Sequence, residues 1–243
     1  EETLASDAGG SAVKVLITGA AGLLGQNVAR KLLERGDEVV AVDALNRFRL
    51  FGDETTCQPV PEILRHERCL FVEADFADDD VFNLMREEEV DAVVHCAAAT
   101  SHPRSIEAPA EDFRINAVGT FRLLETLRAW SMLSDTMLRR KKAPRLVNIG
   151  SCKIYDMSVE PTIETATRIE PKWFGLVDEE WRLGGFITPF GVSKLAADLY
   201  TINFSQLYGL DACTIRPGCF TGRNSLAVEL QNWAPMLVRA MVR

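Results

Sequence analysis

Three glycines, Gly19, Gly22 and Gly25, recur at every third position of Thr18-Gly19-Ala20-Ala21-Gly22-Leu23-Leu24-Gly25, between an apolar β-branched run and a helical pattern. In that context the first glycine permits a tight turn, the second lets backbone approach a pyrophosphate, and the third allows a helix to pack closely on a strand. The helix start at Leu23 and Leu24 then offers N–H donors and positive potential to phosphates. Asp43 ends the next apolar run, where a carboxylate can accept hydrogen bonds from both hydroxyls of an adenosine ribose. The same charge repels a 2′-phosphate, so NAD is expected over NADP; Arg47 and Arg49 lie close enough in sequence to complicate that preference. Asp75 is a candidate adenine contact with Phe76 behind it, and Ala97, Ala98 and Ala99 keep a strand end thin where it would pass a cofactor. His95 just before them reads as a packed strand-end residue.

The elements that must hold these residues alternate along the chain. Strand-like runs cover 13–18, 38–42, 69–73, 92–96, 146–150 and 212–216. Helical patterns run through Val28, Leu32 and Leu33, through Val81, Leu84 and Met85 after three acids, over 113–130, and over 190–208. Such alternation, with strands that are continuously apolar, predicts an α/β fold: a doubly wound parallel sheet (Rossmann), buried on both faces. The expected organisation is a disordered leader over 1–12, a nucleotide-binding domain over 13–217, and the start of a small C-terminal substrate lobe over 218–243. The irregular stretch 156–188 is long enough to expect a function of it, with a surface excursion that packs on itself as the alternative.

Composition narrows the partners. With 35 acidic against 27 basic residues the net charge is −8, and the Arg139-Arg140-Lys141-Lys142 run reads as a solvated loop, so no nucleic acid is expected. No apolar run approaches the roughly 18 residues of a membrane span, and no membrane partner is expected. Six cysteines without a C-x-x-C pair fit a reducing, cytoplasmic setting. The three histidines lack helical i, i+4 spacing, and no metal is expected.

The glycine spacing, the His95-x-Ala97-Ala98 strand end, Asn116 ahead of Gly119-Thr120, and Ser151 followed by the aromatic-x-x-x-Lys pair Phe190 and Lys194 resemble the extended short-chain dehydrogenase/reductases, and within them the NAD-dependent epimerase/dehydratase family. The resemblance covers roughly residues 13–225. Arg104-Ser105-Ile106, the Ile115 to Thr120 stretch, Ser151-Cys152-Lys153-Ile154-Tyr155-Asp156 and Thr188-Pro189-Phe190-Gly191-Val192-Ser193-Lys194 are most similar to CDP-paratose/CDP-tyvelose 2-epimerases. The resemblance implies bound NAD, with Asn116 and Pro217 added to the cofactor contacts, a nucleotide-sugar substrate and a homodimer. The dimer would use the helices from Asn116 to Trp130 and from Phe190 to Tyr208, through faces such as Leu123, Leu127, Trp130 and Leu195, Leu199, Ile202.

By the same resemblance, Ser151 binds the sugar hydroxyl being oxidised, and Lys194 holds the nicotinamide ribose and lowers the pKa of a tyrosine four residues earlier. That tyrosine takes the hydroxyl proton, a keto-sugar forms, its configuration changes, and the oxidation is reversed. Here the position holds Phe190, which has no proton to give or take. Three explanations stand open: a substitution made to trap a ligand, proton transfer rerouted through Ser151, Cys152 or Lys153, or a domain that binds without redox chemistry. Cys152 and Lys153 stand where similar dehydratases carry an acidic pair, which disfavours 4,6-dehydration. Tyr155 is no substitute, since no lysine follows four residues on. Similar enzymes continue well past this length and the chain stops within a helix-like stretch from about 226, so the lobe that opens at 218 is expected to lack most of its length.

Overall fold

The computed structural model describes residues 12–51, 60–136, 142–156, 162–167, 169–171, 178–186, 188–222, 225 and 241. Most of the expected leader, the basic run up to Lys141, much of 156–188 and the helix-like stretch from 226 lie outside the described residues. Strands β1 (Lys14–Thr18), β2 (Glu38–Asp43), β3 (Cys69–Glu73), β4 (Ala92–His95) and β5 (Arg145–Ile149) are joined in the sheet by Ala212–Ile215. All pair in parallel, in the order β3-β2-β1-β4-β5 and then Ala212–Ile215. Chain direction reverses its progress across the sheet between β1 and β4, and at such a switch point the strands' C-terminal ends leave a crevice.

Period two along the strands divides the core. Leu16, Val40, Val42 and Val93 face one side, against Val81 and Met85 of α3 (Asp79–Glu87) and Leu123, Leu124 and Leu127 of α6 (Thr120–Thr136). Val15, Ile17, Val39 and Ala41 face the other, against Ala29 and Leu33 of α1 (Leu23–Arg35). Both faces being covered explains why these strands read as apolar throughout rather than alternating.

At four places the structure holds more than the sequence pattern announces. After β2, where the sequence pattern announces no element, lies α2 (Asn46–Phe51), begun where the Leu45 carbonyl accepts the Arg49 N–H. A further short helix, α4 (His102–Glu107), follows β4, capped by Ser101, whose Oγ accepts the Arg104 N–H. The helix expected over 113–130 starts earlier, as α5 (Pro109–Phe113), and passes through a π-helical segment, Arg114–Gly119, before α6. That wider turn carries Asn116 inward and brings Gly119 against the Phe76 ring, where a Cβ would overlap the ring edge. The stretch after Asp156 holds an antiparallel pair, β6 (Thr162–Glu164) and β7 (Ile169–Pro171), so part of it has structure of its own; Ala212–Ile215 is accordingly β8.

One packing expectation changes too. Leu123, Leu127 and Trp130 are 2%, 1% and 7% exposed, packed on the sheet rather than offered to a partner. Helix α7 (Pro189–Tyr208) lies beside α6 and buries Ala197, Thr201 and Phe204, while Val192, Leu199 and Tyr200 are exposed. Among the described residues no helix is long and apolar enough to cross a membrane.

Candidate active site

A single groove of about 1500 Å³ crosses the C-terminal ends of the strands, running from the glycine turn past Asp43 and Asp75 to Ser151, Phe190 and Lys194. Its size exceeds the roughly 300–1,000 Å³ of a drug-sized pocket, enough for two extended ligands end to end. Gly19 (φ 66) makes the turn out of β1, and a Cβ there would sit 2.6 Å from the Ala97 nitrogen. A Cβ on Gly25 would overlap the Gly19 carbonyl oxygen and stand 2.7 Å from the Ala20 Cα, so the helix could not come this close with any other residue. Gly22 is the N-cap of α1, which has no side-chain cap and no acidic residue in its first turn. Its leading N–H groups therefore face the groove with nothing of the protein's own charge to satisfy them, as an anion requires.

Asp43 is pinned at this end. Its Oδ2 accepts the Ala21 N–H at 2.9 Å and its Oδ1 the Leu45 N–H at 2.7 Å, so it braces the glycine turn while keeping lone pairs for a diol. Burial raises its pKa, against those two amides and the Arg47 charge. Arg49 is drawn away into an ion pair with Glu73, whereas Arg47 lines the groove. Asp75 lines it as well, with Oδ1 accepting from the Ala77 N–H and Oδ2 3.4 Å from Arg114. Phe76 also lines the groove, packed 4.6 Å from the His95 ring.

His95 is a packed residue, as its sequence setting suggested. Its Nδ1 lies 2.7 Å from Thr18 Oγ1 and its Nε2 3.1 Å from Thr120 Oγ1; burial pushes its pKa down to about 3, and it stays neutral. Ala97, Ala98 and Ala99 form the groove floor. Asn116, expected to contact the cofactor, is the one such residue that does not line the groove. At 1% exposure its Oδ1 accepts the Ala99 N–H, while Nδ2 lies within 3.0–3.1 Å of the Ala99 carbonyl, Asp112 Oδ1 and Ser193 Oγ. Asn116 thus holds the floor in place from behind.

At the other end, Ser151 caps the short turn Cys152–Ile154, its Oγ accepting the Lys153 N–H at 3.1 Å. Lys194 is 5% exposed and donates to the Ile149 carbonyl at 2.8 Å; burial pushes its pKa down to about 8. Phe190 lies one helical turn before Lys194 on α7, and both line the groove with Ser151, Cys152 and Lys153. Pro217 reaches it too, its carbonyl accepting the Cys152 N–H at 2.9 Å. Tyr155 does not line the groove: its hydroxyl accepts from Arg216 at 3.1 Å, and Arg216 is held by the fully buried Asp198.

The sequence reading passed over His102. It opens α4, lines the groove, and stands edge-on to Phe190 with ring centroids 4.8 Å apart. Its Nδ1 lies 2.8 Å from Thr188 Oγ1. Nothing in sequence spacing pairs residues 86 positions apart; only the fold does. Among the described residues no group of three or more His, Cys, Asp or Glu side chains could hold a metal.

Comparison with known proteins bears on this groove directly. The family model described as the NAD dependent epimerase/dehydratase family matches residues 15–243. A CDP-paratose 2-epimerase of Salmonella typhi is 29% identical over 91% of this chain and 61% of its own length. A dTDP-glucose 4,6-dehydratase of Escherichia coli is 31% identical over 82% of this chain and 52% of its own. The crystal structure of UDP-glucose 4-epimerase from Brucella ovis in complex with NAD superposes with a TM-score of 0.61 at 26% identity, over 84% of this chain and 51% of that one. The chain therefore spans about half to three-fifths of the length of these relatives.

Proposed function

The chain belongs to the NAD-dependent epimerase/dehydratase family, and on that premise we propose that it is the cofactor-binding part of an NAD-dependent nucleotide-sugar epimerase acting through a transient keto-sugar. The observation that carries the reading is the continuity of the groove, from a glycine turn and a carboxylate at one end to Ser151 and Lys194 at the other. Residues 13–217 form the nucleotide-binding domain in this reading, and 218–243 begin the lobe that grips the nucleotide of the substrate.

The residues fit a dinucleotide. The free N–H groups at the start of α1 take the pyrophosphate, Asp43 takes the adenosine ribose, and Asp75 and Phe76 flank the adenine. When bound, NAD supplies a reversible two-electron acceptor beside Ala97–Ala99. Lys194, anchored on the Ile149 carbonyl, presents positive charge to the second ribose. Ser151 orients the sugar hydroxyl whose carbon is oxidised. Phe190 stands at the place of the family's tyrosine and supplies shape without a proton, so the proton moves elsewhere, with Ser151, Cys152 and Lys153 among the neighbours. The lack of an acid at Cys152 and Lys153 favours epimerisation over 4,6-dehydration. A reducing, cytoplasmic setting suits Cys69 and Cys96, whose thiols burial pushes up to about 11 and about 12.

The test is to unfold the purified full-length protein and identify what it releases by mass spectrometry. An epimerase that recycles its cofactor releases NAD and needs none added for turnover. A requirement for stoichiometric added cofactor would shift the reading to an oxidoreductase. Absence of turnover even in a Phe190→Tyr variant would shift it to a binding module.

A further inference from the structure

We propose that His102 is the catalytic acid/base of this site, taking from the sugar hydroxyl the proton that Phe190 cannot accept. The inference rests on the epimerase reading and names the residue which that reading leaves open. His102 reaches the same place from a different element. It projects from the start of α4, which packs against α7, and its ring meets that of Phe190 in a T-shaped contact at the Ser151–Lys153 end of the groove.

The ring is oriented as a base needs to be. Thr188 is the N-cap of α7, where a threonine hydroxyl ordinarily accepts an N–H of its own helix. Here it makes no such cap, and its Oγ1 engages His102 Nδ1 instead. Thr188 fixes the ring's orientation, and in the tautomer whose Nδ1–H donates to Thr188 Oγ1 the Nε2 lone pair is left for the substrate, the arrangement of a base held by a third group. No described residue bonds Nε2. His95, by contrast, has both nitrogens engaged within the core. The charges around His102 also suit the role: burial and Lys153 of the Cys152–Ile154 turn lower its pKa, while Asp112 of α5 raises it, and the lowering prevails. Arg104 on α4 itself is paired with Glu111 of α5, and Lys194 of α7 acts on Asp112. His102 is therefore a free base at neutral pH.

The step balances simply. The hydroxyl O–H bond breaks towards Nε2, and the hydrogen on the same carbon leaves with its electron pair for the oxidised nicotinamide dinucleotide. A C=O bond and an imidazolium remain. Reduction of the ketone from the other face returns the electron pair to carbon and the proton from Nε2 to oxygen.

The experiment uses the full-length, NAD-loaded protein and CDP-, dTDP- and UDP-glucose as probes. Histidine Cε1 protons are titrated by NMR, the His102 resonance being the one absent from H102Q. It should titrate below the ordinary histidine range and move when a probe fills the groove; an ordinary or raised value, or no response to any probe, overturns the proposal. In turnover, H102Q should lose roughly 10²–10⁴-fold in kcat with KM within a few-fold, and lose the fall in rate at low pH that protonation of His102 imposes. Adding F190Y to H102Q should restore at least part of the rate by returning the family's own base. H102Q turning over at the wild-type rate overturns the proposal. Thr188→Val, which keeps the imidazole but frees it, should lower kcat and shift the pH profile; an unchanged profile counts against His102. If the wild type turns over no nucleotide-sugar, the epimerase reading falls, and the NMR titration alone decides whether His102 faces the ligand.

Discussion

Asp43 has two tasks that pull in one direction. Its oxygens brace the Ala21 and Leu45 amides, and in the proposed function its charge selects the ribose. We expect NAD to bind at least tenfold more tightly than NADP, and Asp43→Ser to narrow that ratio from both sides. Titration of the apo-protein with each dinucleotide checks this; stronger NADP binding by the unaltered chain would remove Asp43 from the ribose. Lys194 gives a prediction in pH. Its folded pKa, about 8 through burial, lies below the ordinary 10.5, so the folded state binds fewer protons between those values. The contribution of Lys194 to stability is therefore least below pH 8 and rises with pH up to about 10.5, by up to about 3 kcal/mol. Cys96 acts in the opposite sense, since its buried thiol, up at about 12, resists ionisation that the unfolded chain undergoes from about 9. Denaturant midpoints of wild type and Lys194→Met across pH 7–10 separate the two, the Lys194 slope being present only in the wild type. At this scale the sequence was legible where a residue type carries its own geometry, as with Gly19, Gly25 and Asp43. It was silent on His102, whose neighbours come from 86 and 88 positions away, and on the contacts that hold the Asn116 side chain to Ala99, Asp112 and Ser193.

Elements were legible in proportion to their apolar period. The strands came through because burial on both faces leaves nothing polar to interrupt them. Helix α7 came through because Pro189 starts it and Gly209, in the left-handed region, ends it. Short helices did not: α2 and α4 are too brief for a repeating face, and they are set by local hydrogen bonds at Leu45 and Ser101. The π-helical turn was invisible, since one extra residue per turn leaves the pattern of apolar residues nearly unchanged over so short a span. The contact between α1 and β1 yields the prediction at this scale. Gly25→Ala puts a methyl group into backbone that cannot yield like a side chain. We expect destabilisation of about 1–3 kcal/mol together with at least tenfold weaker dinucleotide binding, because the glycine turn must shift. Urea unfolding and a NAD titration on the same sample check both; unchanged affinity would separate the turn from the phosphates.

For the molecule as a whole, the parallel sheet and the family followed from sequence, while the strand order and the mode of association did not. The residues first expected at a dimer face on α6 are core residues. We still propose a homodimer, now through the exposed Val118, Val192, Leu199 and Tyr200 beside the α6–α7 pair. The reason amphipathic pattern misled is that α6 is apolar over a wide arc, and the sheet claims most of it. Sedimentation of the full-length protein at micromolar concentration should give a dimer, and Leu199→Glu with Val192→Glu should give a monomer that still binds NAD. A wild-type monomer rejects the proposal.

The groove floor has a further consequence, in time rather than in space. The Ala99 amide is covered by the Asn116 side chain, and Asn116 is in turn held by Asp112 on α5 and Ser193 on α7, which bond each other. Exchange of that amide requires its bond to Asn116 Oδ1 to break, so it reports how firmly α5 and α7, joined across 81 positions, hold the Asn116 side chain. The Ala99 amide should exchange as slowly as those in the centre of β4, although it lies beyond the strand's end. Ser193→Ala should speed it by roughly tenfold for each 1.4 kcal/mol of the lost hydrogen bonding, leaving the Val39 and Val40 amides untouched. An Ala99 amide that exchanges as fast as an open loop would mean that the floor of the groove moves independently of the fold beneath it.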